Sequence, residues 1–234
     1  MKTVRSKTGP FTSRPHFKLN EIEEICATEL KAVGLYPSTP EPVRIDRFIE
    51  KHFKISHEYD DLPNGVLGFT KFGRHGVEAI VVARSLDGDH SGKLVERRLR
   101  TTLAHEAGHG LLHKHLFALG AKPKSLFGDS DEKPEILCRD IPGEQLTAPG
   151  YDGRWWEFQA NKAIGGLLMP RRLVELAADR FTAEVGSFGS RTLIPEKREV
   201  AIRALADIFD VNPIVARIRL EDIFSSKQQA QLLL

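Results

Sequence analysis

The sequence predicts an α+β fold: a small antiparallel sheet packed on helices, closed by a C-terminal helical segment. Three observations predict it. Apolar residues recur at helical spacing over residues 19–53, 94–116 and from 155 onward. Between 55 and 83 the period drops to two, or apolar residues run together, as strands require. Proline and glycine clusters separate these stretches and mark the turns.

With 234 residues the chain suits one large domain, or a domain with a small appendage. It can bury roughly 70% of its unfolded surface, so it needs no disulfide framework. Its two cysteines, Cys26 and Cys138, are too few for a stapled secreted domain and point to a reducing cytoplasm. No apolar run approaches the ~20 residues of a membrane span, and the N-terminus lacks a signal-peptide core. The net charge of +2 does not by itself indicate nucleic acid. Residues 1–18 contain Lys2, Arg5, Lys7, Arg14 and Lys18 without an acid, and read as a disordered basic tail.

The elements follow in order. Over residues 19–33, Ile22, Ile25, Cys26, Leu30 and Val33 form a helical stripe on which Cys26 is a small core residue. Pro37, Pro40 and Pro42 make a stiff connector. Residues 43–53 form a second helix with Ile45, Phe48, Ile49 and Phe53 inward. Ile55, His57 and Tyr59 alternate as a strand, and residues 61–65 turn. Val66 to Phe72 and Val77 to Ala83 are strands joined by Gly73-Arg74-His75-Gly76, a hairpin signal. The run Ala79-Ile80-Val81-Val82 is apolar on both faces, as an internal strand would be.

Residues 94–116 form one long helix with Val95, Leu99, Leu103, Ala107 and Leu111 as its core face. Residues 117–154 are irregular, with a strand over Ile136–Arg139. Connections this long are functional or mobile. A third main helix runs from Trp155 to Met169 and stops at Pro170, with more helix over 171–182. Gly186 and Gly189 mark a break, and helices over 196–209 and 213–224 close the chain.

The long helix carries His105-Glu106-Ala107-Gly108-His109, the pattern H-E-x-x-H. Residues four apart on a helix face the same way and rise about 6 Å, so both imidazoles can grip one zinc ion. Glu106 then lies where it can take a proton from a zinc-activated water as general base. A catalytic zinc wants a third protein ligand. His113 is eight residues from His105, about 12 Å along a straight helix and too far to share the ion. His115 would need the helix to break three residues after His109, where Leu112 stands instead of glycine. Glu157 is the remaining choice. Set between Trp156 and Phe158, it is either a buried carboxylate needing a partner such as zinc, or an exposed first-turn acid aided by the helix dipole. The residues alone leave both open.

These stretches together resemble the ImmA/IrrE metallopeptidase family. Its motif helix, roughly Thr-x-Ala-His-Glu-x-Gly-His-x-Leu-Leu-His, is similar to the run from Thr101 or Thr102 through His113. Its second block, roughly Glu-x-x-Ala-Asn-x-Phe-Ala-x-x-Leu-Leu-Met-Pro, is similar to Glu157, Ala160, Asn161, Ala163, Leu167, Leu168, Met169 and Pro170. Gly68-Phe69 and the 78–83 strand look like the family's sheet edge, and the likeness spans about residues 43–223.

The resemblance implies a zincin-like fold, with a metallopeptidase domain over residues 19–185 and a helix-turn-helix-like segment over 190–234. It implies His105, His109 and Glu157 as zinc ligands and Glu106 as general base. The implied substrate is a protein, a repressor or helix-turn-helix regulator encoded nearby. Ile164 and Gly165-Gly166 depart from the pattern, and glycine should loosen the helix there. Cys138 is either an ordinary buried thiol or a latent metal contact. His113 and Tyr151 are candidate oxyanion donors. A competing function is DNA binding, with Arg217 and Arg219 on the last helix meeting phosphates or base edges. A zinc-containing regulator without turnover is a third.

Overall fold

The structure, a computed structural model, describes residues 2–5, 13–73, 75–88, 92–118, 135–139, 155–185 and 190–224. Two strands, β1 (Lys2–Arg5) and β2 (Ser13–His16), pair antiparallel where the sequence suggested a disordered tail. Helix α1 (Leu19–Ala32) starts with the Lys18 N–H donating to Glu21 Oε2 at 2.8 Å. It buries Ile22, Cys26 and Leu30, each four residues apart. Helix α2 (Ile45–Phe53) buries Ile45, Phe48 and Ile49, while Phe53 is only half-buried at its end.

The central sheet contains β3 (Glu58–Asp60), β4 (Val66–Gly73), β5 (Gly76–Ala83) and β6 (Glu135–Arg139), in the order β3-β5-β4-β6. It is mixed rather than antiparallel. The β4–β5 hairpin forms as expected, but β3 bypasses β4 and joins the free edge of β5. Because β4 runs opposite to both neighbours in sequence, β3 and β5 must run parallel. The predicted internal strand is internal, and Ile80, Val81, Val82 and Ala83 are buried.

Helix α3 (Lys93–Ala118) lies between this sheet and α4 (Trp155–Leu168). Every residue from Thr102 to Gly110 is buried. A single core face is therefore too narrow a description. Of the five residues assigned to it, Leu103 and Ala107 are buried and Val95, Leu99 and Leu111 are not, whereas Ala104 and Leu112, outside that face, are buried. The histidines face the α3–α4 interface.

The approach of these two helices depends on Gly108. A Cβ there would lie 2.8 Å from the Ala163 Cβ and 3.2 Å from the Ala160 carbonyl oxygen. The two glycines that depart from the family pattern also have a packing reason. A Cβ on Gly166 would lie 2.9 Å from the Cys26 sulfur of α1, and one on Gly165 would lie 3.0 Å from Arg219 Cδ. They admit neighbours, and α4 stays helical through them.

After Pro170 come α5 (Arg171–Ala178), a 3₁₀ turn, and an unpredicted hairpin of β7 (Thr182–Val185) and β8 (Ser190–Leu193). Helices α6 (Arg198–Ile208) and α7 (Pro213–Phe224) close the described chain. Ile202, Leu205, Phe209 and Leu220 belong to the same core cluster as α1–α4, so the C-terminal helices share that core. Arg97, nearly buried on α3, ties down their turn: Nε donates to Asp210 at 3.0 Å and Nη2 to Asp207 at 2.8 Å. Among the described residues no helix is long and apolar enough to cross a membrane.

Candidate metal centre

Helix α3 meets α4 closely at Gly108, opposite Ala160 and Ala163. His105 and His109 project from α3 into this seam, and Glu157 projects from α4. All three are buried or nearly so. The His105 and His109 Nε2 atoms are 2.9 Å apart. Glu157 Oε2 is 3.2 Å from His105 Nε2, and Oε1 is 3.7 Å from His109 Nε2. The donor atoms of the three residues all lie within 4.8 Å of one another, close enough to hold one metal ion. The open choice for Glu157 thus resolves toward burial, beside both histidines.

The surrounding hydrogen bonds show which ring nitrogens are available. Asn161 Oδ1 can only accept, so His105 Nδ1, at 3.0 Å, donates to it. Gln159 Oε1 likewise accepts from His113 Nε2 at 3.0 Å. His113 Nδ1 is then an acceptor and takes the Nδ1–H of His109 at 2.9 Å. A neutral imidazole has one N–H and one lone pair. Both Nε2 atoms are therefore left with lone pairs pointing at one another and at a carboxylate. Two nitrogens and an oxygen so arranged repel unless a cation lies between them, and this donor set suits zinc.

Electrostatics agree with that assignment. Burial holds His109 below its ordinary imidazole value, outweighing the opposite pull of Glu157, so its ring is neutral at pH 7.

Glu106 is fully buried on the sheet side of α3. Its Oε2 accepts a hydrogen bond from Thr70 Oγ1 at 2.6 Å. Thr70 is on β4, whose inward positions are Val66, Gly68, Thr70 and Phe72. Gly68 leaves space beside the carboxylate, since a Cβ there would lie 3.4 Å from Glu106 Oε1 and 2.9 Å from the Val81 carbonyl oxygen. A central strand thus both orients Glu106 and makes room for it.

Sequence reasoning assigned no role to Thr70, Gln159 or Asn161. The period-two register of β4 already placed Thr70 on the helix-facing side. Asn161, four residues after Glu157, could have been placed on the same face of α4. His113 is buried and bonded to His109, as its spacing allows, and is not a third ligand. Tyr151 and the side chains of His115 and Cys138 lie outside the described residues.

Arg219 is buried, with Nη1 on Glu23 and Nε donating to the Met169 carbonyl at 2.9 Å, so it cannot meet a phosphate as expected. Arg217 is paired with Glu199 at 2.9 Å.

Searched against protein-family models and against curated proteins, the chain gives no match.

Proposed function

We propose that this chain is a zinc-dependent metallopeptidase of the ImmA/IrrE type, with a zincin-like fold, that hydrolyses a peptide bond in a specific DNA-binding repressor or regulatory protein. The observation that carries this reading is the convergence of His105 Nε2, His109 Nε2 and the Glu157 carboxylate in one buried seam, with their lone pairs already directed inward. The two sequence blocks supply the rest of the support.

His105, His109 and Glu157 would hold the zinc. When bound, zinc supplies Lewis acidity and brings the pKa of water toward ~7. Glu106 acts as the general base, receiving a proton from the attacking water on its carboxylate and returning it to the leaving amine. Thr70 holds the carboxylate at 2.6 Å, limiting its rotation between those two transfers. Asn161 fixes the ring plane of His105.

The test compares wild type, Glu157→Ala and Glu106→Gln for zinc content, and for cleavage of the repressor encoded beside the gene. Wild type should bind one zinc and Glu157→Ala should lose it. Glu106→Gln should keep zinc while cleavage slows about 10²–10⁴-fold. Wild-type cleavage by Glu106→Gln would overturn the mechanism, and a wild type without zinc would overturn the whole reading.

A further inference from the structure

His113 resembles neither a ligand nor ordinary core filling. It is fully buried, with its ring edge-on to Trp155 at 5.5 Å between centroids. An imidazole kept there for volume alone would leave two polar nitrogens to desolvate. Instead, Nδ1 meets the outward nitrogen of His109 at 2.9 Å, and Nε2 meets Gln159 at 3.0 Å. Gln159 is itself buried and stands two residues after Glu157 on α4. The same short stretch of α4 therefore supplies a carboxylate to the inner side of His109 and, through His113, a hydrogen-bond anchor to its outer side.

We propose that His113 and Gln159 are positioning residues that commit His109 to its Nδ1–H form and so set the metal affinity of the centre. This rests on the metal-binding reading above. The direction of the chain is dictated from its far end. The Gln159 carbonyl cannot donate, so His113 must donate to it, and His113 must then accept from His109. Only that polarity leaves the His109 Nε2 lone pair facing Glu157 and His105. Without His113, the Nδ1–H form loses its partner. His109 can then place its proton on Nε2, where the Glu157 carboxylate at 3.7 Å would attract it, and a metal would have to displace that proton.

The experiment uses the full chain. Zinc affinity is measured by competition with a chromophoric chelator, and the His109 tautomer is read from ¹⁵N imidazole NMR of the chelator-treated protein. His113→Phe should weaken zinc binding about 10–100-fold and shift His109 toward the Nε2–H form. His113→Asn offers an acceptor near the position of Nδ1, so it should recover most of both properties. A purely packing role predicts the reverse order, since Phe fills the volume better than Asn. Wild-type affinity and tautomer in His113→Phe would overturn the proposal, as would His113→Asn behaving no better than His113→Phe. Should His113→Phe fail to fold, Gln159→Leu breaks the far end of the chain, and a wild-type His109 tautomer there overturns the proposal equally. A wild type that binds no zinc refutes the metallopeptidase reading, while the tautomer comparison still decides the role of His113.

Discussion

At the N-terminal end of α4, Glu157 is buried against two imidazoles. Near its C-terminal end, Glu23 of α1 is half-buried against two guanidiniums, with Arg171 Nε at 2.6 Å and Arg219 Nη1 at 2.5 Å. The two clusters place a carboxylate in the same core yet balance it differently. Glu23 faces permanent cations, and the remaining positive charge lies beside the Met169 carbonyl at the negative end of the α4 dipole. That cluster holds its countercharges within the chain. Glu157 faces rings whose inward nitrogens are lone pairs, so its countercharge is not supplied by the protein. The contrast separates a cluster that holds helices together from one built to receive a cation.

The largest effect expected at the closed cluster comes from Arg219→Met. Removing one partner of a buried pair costs about 3–5 kcal/mol, and Glu23 keeping Arg171 places this change toward the lower figure. Urea unfolding should show the loss, while zinc bound per folded molecule should stay at the wild-type level. A fall in zinc affinity under fully folded conditions would mean that the two ends of α4 are coupled and that the contrast drawn here is too sharp.

Gly108→Ala attacks the other end through packing alone. The added methyl would sit 2.8 Å from the Ala163 Cβ and 3.2 Å from the Ala160 carbonyl, so α4 must retreat. Overpacking of this kind costs about 1–3 kcal/mol. Its signature should be zinc affinity falling by more than the change in stability accounts for, because retreat of α4 carries Glu157 away from the histidines. Parallel chelator competition and thermal unfolding test this, and unchanged affinity would show that the seam tolerates a wider spacing.

How much of this was legible in the sequence depends on the range of each contact. The His105–His109 pair is a local feature of helix geometry, and its spacing was enough to find it. Glu157 required knowing which element packs on α3, and the residues alone left its burial open. The residues made it a candidate, and the likeness to a two-block pattern favoured the buried reading. Thr70 was hidden in a largely apolar strand, although the alternation that buries Val66 and Phe72 also turns Thr70 inward. The parallel placement of β3 was not legible, because three residues cannot advertise which sheet edge they join. Gly165 and Gly166 were read as helix weakness, since their partners, Arg219 and Cys26, lie far away in sequence. Cys26 did read correctly as core. Its thiol lies 3.9 Å from the Ala163 carbonyl, and burial pushes its pKa to about 12.

Acid should distinguish the two clusters by where each begins to fail. Burial depresses His109, so in chelator-treated protein the unfolded chain binds a proton there that the folded chain refuses. Its contribution to stability is complete above the unfolded value, near ~6.5, and declines as pH falls below it. For Glu23 burial works the other way, but the hydrogen bond from Arg171 and the charge of Arg219 prevail and lower its carboxyl. Its contribution is complete above the unfolded value near ~4.3 and is lost as pH drops through the folded one. Stability followed from pH 7.5 to 3.5 should therefore fall in two stages. His109→Gln should flatten the upper stage and Glu23→Gln the lower. Zinc in excess should suppress the upper stage at first, because the metal holds His109 unprotonated, and should leave the lower stage in place. If Glu23→Gln flattened the upper stage instead, the assignment of the two windows would be wrong.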